Sequence, residues 1–140
     1  MRLTRFTDYG LRMLMRMASK PDQAFSTAEL AQEFGLSRNH LTKIMQRLAR
    51  AGIVTTRRGG GGGAILAREP SEIGLGDVVR LLEEGQALVE CFAPGASSCT
   101  IDGCCGLKAR LRGAERAFLA HLDRSTLADI ALAPPDRDAA

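Results

Sequence analysis

Apolar residues recur at helical spacing along the first third of the chain. Leu11, Leu14, Met15 and Ala18 stand at i, i+3, i+4 and i+7, which predicts an amphipathic helix over about residues 6–19. Met13, Met15 and Met17 read as packing residues of that helix rather than as a metal-binding box. Lys20-Pro21-Asp22 ends it. Ser26 followed by Glu29 is a capping-box signature, and Leu30, Ala31 and Phe34 then give a short second helix stopped at Gly35. Ser37 caps a third helix whose inward face is Leu41, Ile44, Met45 and Leu48 and whose end is marked by Gly52. Two helices joined by the tight turn Gly35-Leu36-Ser37 make a helix-turn-helix.

At 100° per residue, Asn39, Thr42, Lys43, Gln46 and Arg50 point away from the apolar stripe of the third helix, with Arg38 and His40 beside its start. These side chains can bond base edges and phosphates in a major groove. Ile53-Val54-Thr55-Thr56 is strand-like, and Arg57-Arg58, five glycines at 59–63 and a second short strand around Ile65-Leu66 follow. A β-hairpin directly after a recognition helix is a wing, and it brings Arg57 and Arg58 to the same face. The glycine run is not a phosphate-binding loop, because no Gly-Lys-Ser/Thr ends it and a strand rather than a helix comes next.

Beyond Pro70-Ser71, Leu75, Val78, Val79 and Leu82 predict a short helix, and Leu107, Leu111, Ala114, Phe118 and Leu122 predict a longer one of four to five turns with a single apolar stripe. A small domain offers that stripe too little cover, so pairing with the same helix of a second chain is expected. Leu127 to Ile130 reads as a brief last helix, and the Ala-Pro-Pro-Asp run beyond it as the start of a disordered tail over 132–140. The fold expected is mainly α: a winged helix-turn-helix with a small hairpin wing and a long C-terminal dimerisation helix.

Charge sharpens the picture. The net +3 is unevenly placed: residues 1–70 carry 12 Lys/Arg against 5 Asp/Glu, and residues 71–140 carry 7 against 11. The first half is thus the one suited to a polyanion. No run is long and apolar enough to span a membrane, and the start Met-Arg-Leu-Thr-Arg-Phe has no apolar stretch of signal-peptide kind, so a cytoplasmic protein is expected. No Ser/His/Asp set, paired-carboxylate motif or nucleotide fingerprint is present, so an enzyme is not expected.

All four cysteines, Cys91, Cys99, Cys104 and Cys105, fall within fifteen residues among Gly, Pro, Ser and Asp. That setting is a surface loop rather than a core, so buried packing cysteines fit poorly. Stable disulfides do not suit the expected compartment. Structural zinc prefers closely spaced pairs facing a second pair or two histidines, whereas these gaps are wider and the loop holds no His. An iron–sulfur cluster held by thiolates suits the spacing better, and a zinc-binding or metal-free thiol switch is the alternative.

Several stretches together carry a family resemblance: the opening M-R-L-T-R-F-T-D-Y-G-L-R-M-L, the helix S-R-N-H-L-T-K-I, the segment I-G-L-G-D-V-V-R-L-L-E, the C-x7-C-x5-C-G-L loop and L-D-R-S-T-L-A-D-I near the end. Over roughly residues 1–131 the chain resembles the Rrf-type iron–sulfur winged-helix regulators, and within them the nitric-oxide-responsive repressors. The resemblance implies Cys91, Cys99 and Cys105 as cluster ligands and leaves Cys104 spare. It implies a 4Fe-4S cluster, with 2Fe-2S less favoured, and a fourth ligand at Asp8 of the partner subunit, with Arg12 placed to orient it. A branch that ligates its cluster through His would carry it three residues after the third cysteine, where this chain has Lys108. Iron- or redox-responsive members remain the alternative within the family. The resemblance further implies a homodimer binding palindromic double-stranded promoter DNA through Arg38, Asn39, His40, Thr42, Lys43 and Gln46. Residues 1–70 would be the DNA-binding domain, and 71–131 the cluster-binding loop with the dimerisation helix.

Overall fold

The computed structural model describes residues 1–58, 62–95 and 97–133. It is mainly helical: α1 (Arg5–Ser19), α2 (Thr27–Phe34), α3 (Arg38–Arg50), a hairpin of β1 (Val54–Arg57) and β2 (Gly63–Leu66), then α4 (Leu75–Leu82), α5 (Gly106–Leu122) and α6 (Leu127–Ile130). Short 3-10 turns lie at Pro70–Glu72, Glu90–Phe92 and Asp102–Cys104.

The first three helices begin where hydroxyl side chains satisfy free N–H groups of the first turn. Thr4 accepts from the Thr7 amide ahead of α1, and Ser37 from the His40 amide ahead of α3. Ser26 and Glu29 form the reciprocal capping box at α2. Gly35 ends α2 at φ 64°, a left-handed turn that suits a residue without a Cβ, and this sets α3 across α2.

The hairpin is antiparallel, with Val54 opposite Leu66 and Arg57 opposite Gly63. Phe25, ahead of α2, adds a bridge to Ala64, its N–H donating to the Ala64 carbonyl at 2.9 Å while the Ala64 N–H donates back at 2.8 Å. A Cβ on Gly63 would stand 2.6 Å from the Phe25 carbonyl oxygen, so this glycine is required by packing. Gly59, Gly60 and Gly61, which carry most of the expected wing tip, lie outside the described residues, as does the expected tail from 134 onward.

One buried cluster runs through these elements, from Met13, Leu14 and Met17 of α1 through Leu30, Leu41, Ile44 and Leu48 to Ile73, Val78 and Leu127. The core side of α1 differs from the stripe read in the sequence. Met13, Leu14, Met17 and Ala18 are buried together with Thr7 and Gly10, while Leu11 and Met15 are only partly covered. The reason is Gly10: α3 and α4 both approach α1 there, and a count of large apolar residues passes over Thr and Gly. The apolar stripe of α5 finds no such cover within the chain. No residue of α5 is buried, and Leu107 is 62% exposed.

Candidate DNA-binding face and cysteine loop

Arg38, Asn39, Lys43, Gln46 and Arg50 are all exposed along one side of α3, opposite the buried Leu41, Ile44, Met45 and Leu48. Thr42 is half-buried, and its hydroxyl donates to the Arg38 carbonyl at 2.9 Å, one turn back on the same helix. His40 is drawn toward α1: its ring meets Tyr9 edge-on at 5.3 Å and lies tilted against Phe6 at 6.1 Å. Arg57 and Arg58 are exposed at the end of β1. A shallow depression of about 580 Å³ lies between α2, α3 and the hairpin, bordered by Thr27, Thr42, Gln46, Arg50 and Thr56. The exposed row of α3 therefore continues into a concave strip with guanidinium and amide groups on its edge.

The cysteine loop leaves α4 and returns as α5. Cys91 lies in the turn Glu90–Phe92, Cys104 ends the turn Asp102–Cys104, and Cys105 stands directly before the first residue of α5. All four thiols are free; Cys99 and Cys104 are exposed, and Cys91 and Cys105 are half-buried. Few side-chain contacts hold the loop. The Arg112 guanidinium sits 4.3 Å from the Phe92 ring centre, Ser98 donates to Glu90 at 2.8 Å, and Lys108 donates to Asp102 at 2.5 Å. That bond to Asp102 is the main reason the Lys108 ammonium titrates above its ordinary range. Among the described residues no three His, Cys, Asp or Glu side chains are gathered closely enough to hold a metal ion.

Asp8 and Arg12 lie one turn apart on the outer side of α1 and form a two-point pair, Arg12 Nε to Asp8 Oδ1 at 3.1 Å and Nη2 to Oδ2 at 2.8 Å. The same guanidinium lies 5.5 Å from the Tyr9 ring centre. Both carboxylate oxygens of Asp8 are thus held in a fixed direction. Their i, i+4 spacing on one helix brings the two side chains within reach of each other.

Four groups that matter to this architecture went unread in the sequence. Glu83, at the end of α4, accepts from the Thr4 amide at 2.7 Å and the Thr4 hydroxyl at 2.8 Å. Its partial burial works to raise its pKa, but hydrogen bonds from Thr7, the Thr4 amide and the Thr4 hydroxyl outweigh it and hold the carboxyl below its ordinary range. Arg47 of α3 donates to the Leu81 carbonyl at 3.3 Å and pairs with Glu84. Arg80 grips Asp123 at two points, 2.6 and 2.7 Å, tying α4 to the end of α5. Thr4 alone had a signal, a hydroxyl residue just ahead of a helical pattern.

Comparison with known proteins agrees with this architecture. The family model described as "Rrf2: Iron-dependent Transcriptional regulator" matches residues 3–133. The chain is 42% identical over 131 residues to the HTH-type transcriptional regulator NsrR of Bacillus subtilis, covering 93% of this chain and 90% of that one. It is 39% identical to the NsrR of Shouchella clausii, covering 97% and 92%. Among solved structures, the oxidized form of Staphylococcus aureus CymR superposes with a TM-score of 0.73 at 29% identity, covering 96% of this chain and 98% of that one. IscR of T. potens superposes with a TM-score of 0.72 at 27% identity, covering 93% and 85%. Helix-turn-helix, wing and long C-terminal helix, with a family match along nearly the whole chain, place this protein in the Rrf2 family of non-catalytic, DNA-binding transcriptional regulators.

Proposed function

We propose that the protein is a dimeric repressor whose hold on a palindromic promoter element depends on an iron–sulfur cluster and is released by nitric oxide. The observation that carries this reading is the set of four free thiols on one loop, two exposed and two half-buried, in a chain 42% identical to a regulator named NsrR.

The residues present fit such a group. Thiolates are the donors iron–sulfur clusters take, and none of these four is committed to a disulfide or to the core. Directly after Cys105, α5 begins without any side-chain cap, so its first N–H groups are left facing the loop, a setting that favours an anionic group. Cys91, Cys99 and Cys105 would hold the cluster, and Asp8 of the partner subunit would complete the ligand set, its carboxylate kept in line by Arg12. When bound, the cluster supplies iron sites at which nitric oxide reacts. A carboxylate on α1 engaged at the other protomer's loop ties that loop to the DNA-binding unit, because α1 packs directly on α3. The stripe of α5, half-buried at Leu111, Phe118 and Leu122 and open at Leu107, supports pairing of two chains, which matches a two-fold symmetric site.

A redox switch built on the thiols alone is the second reading, favoured by their accessibility and by the absence, among the described residues, of three ligands gathered in place. Anaerobic purification separates the two. A brown protein with acid-labile sulfide, whose operator binding is lost on adding stoichiometric nitric oxide, supports the cluster; a colourless protein that responds to oxidants, or keeps zinc, supports the switch.

A further inference from the structure

The last turn of α4 is gripped on two sides. Four consecutive residues, Leu81 to Glu84, each touch the DNA-binding unit. Arg47 of α3 donates to the Leu81 carbonyl at 3.3 Å and pairs with the Glu84 carboxylate. Leu82, 5% exposed, fills the notch at Gly10. A Cβ placed there would stand 2.7 Å from Leu82 Cδ1 and 3.2 Å from Ile44 Cγ2 of α3, so α1, α3 and α4 meet at this one point. Glu83 receives both the amide and the hydroxyl of Thr4, the residue that caps α1. Immediately beyond, Gly85 turns the chain at φ 83°, and six residues later comes Cys91.

A helical turn with its backbone bonded, here the Glu83 amide to the Val79 carbonyl at 2.9 Å, moves as a unit. The Gly10 contact is a pivot near the middle of α3, because Ile44 lies there. Arg47 is on one side of that pivot, and Asn39 and Lys43 are on the other. At 1.5 Å rise per residue, Asn39 lies roughly 7.5 Å from Ile44 along the axis, so a tilt of about 10° would displace it by roughly 1.3 Å. Hydrogen bonds to base edges tolerate only a few tenths of an ångström about their usual length. A small displacement at Arg47 is therefore enough to change base reading at the other end of the helix.

We infer that Arg47 and Glu83 are positioning residues that couple the orientation of the recognition helix to the state of the cysteine loop, through the last turn of α4. The inference rests on the proposed function in one respect, that the loop's state changes with its cofactor. Neither residue touches DNA or the cluster in this scheme.

The test uses full-length protein with Arg47→Met, Glu83→Ala and Arg47→Lys, each prepared with and without its cluster. Iron and sulfide content, dimer state, operator affinity of both forms, and amide hydrogen exchange over residues 38–46 are measured. Coupling between sites commonly amounts to fivefold or more in affinity, so the parent is expected to show about a tenfold ratio between loaded and cluster-free forms. Arg47→Met and Glu83→Ala should load the cluster as the parent does while that ratio collapses toward one, and exchange over 38–46 should no longer respond to loading. Arg47→Lys, which retains a donor and a charge, should recover part of the ratio. Variants that keep the full parental ratio overturn the coupling while leaving the functional reading intact. A parent that takes up no cluster, or binds its operator equally in both forms, overturns the functional reading and the coupling with it. Should Arg47→Met or Glu83→Ala not fold, Glu84→Gln, at a side chain 70% exposed, removes one arm of the grip without touching the core and is held to the same outcomes.

Discussion

Two glycine-to-alanine changes should act in opposite directions. In a helix interior, alanine is favoured over glycine by about 1 kcal/mol. At Gly113, in the middle of α5, nothing lies within 4 Å of the added Cβ and the position is off the apolar stripe, so Gly113→Ala should gain most of that amount. At Gly10 the same methyl would stand 2.7 Å from Leu82 Cδ1 and 3.2 Å from Ile44 Cγ2, against an ordinary carbon–carbon contact of about 3.5–4.0 Å. Neither neighbour can swing into solvent, because both are buried in the core. Overpacking of this kind typically costs about 1–3 kcal/mol, which outweighs the helix gain and leaves Gly10→Ala about 1 kcal/mol less stable than the parent. The two variants should thus differ by about 2 kcal/mol. Urea unfolding followed by circular dichroism, at one protomer concentration because a dimer's stability depends on it, reads this as a midpoint difference at constant slope. A Gly10→Ala protein as stable as Gly113→Ala would refute the close three-helix contact.

Three further outcomes follow from the same geometry. Alanine at Arg38, Asn39 and Lys43 should abolish specific operator binding, and removing each interaction with a phosphate should flatten the salt dependence by roughly 0.9 log units per log unit of salt; unchanged affinity and slope would mean that α3 does not read the DNA. Cys91→Ala, Cys99→Ala and Cys105→Ala should each carry little or no iron and sulfide and Cys104→Ala should carry the parental amount, while Asp8→Ala should keep a cluster with an altered visible spectrum; a colourless Cys104→Ala beside a brown Cys105→Ala would reverse the ligand assignment. Because the folded state holds the Glu83 carboxyl below its ordinary range, the stability it contributes is complete above the unfolded glutamate value and is lost as pH falls through the folded value. Parent and Glu83→Gln should therefore differ in unfolding midpoint near neutral pH and converge in acid, and a gap that widened on acidification would contradict the Thr4 contacts.

What was readable in the sequence is what local physics decides. Helix starts depend on a hydroxyl and its neighbours within one turn, so Ser26 with Glu29 and Ser37 announced α2 and α3. Helix faces follow from the 3.6-residue period, so the exposed row of α3 and the apolar stripe of α5 were legible, and the Asp8–Arg12 pair lies within reach of that same period. Spacing within the cysteine loop narrowed the chemistry, although only the family resemblance singled out Cys91, Cys99 and Cys105 from Cys104.

Tertiary structure alone decided the rest, because those contacts join residues far apart in the chain and carry no local signal. Glu83 reaches Thr4 across 79 positions, and Arg47 reaches Leu81 and Glu84 across 34 and 37. Gly63, one of the five glycines between the two strand-like stretches, is the place where Phe25 presses on β2. His40, at the start of α3, packs its ring toward Phe6 and Tyr9 of α1. The core side of α1 was set by a glycine and a threonine, which periodicity does not weigh, since what matters there is how closely α3 and α4 can approach. Periodicity says which face of a helix is apolar; only the packed fold says which neighbours reach it, and in α5 it leaves that face only half-covered.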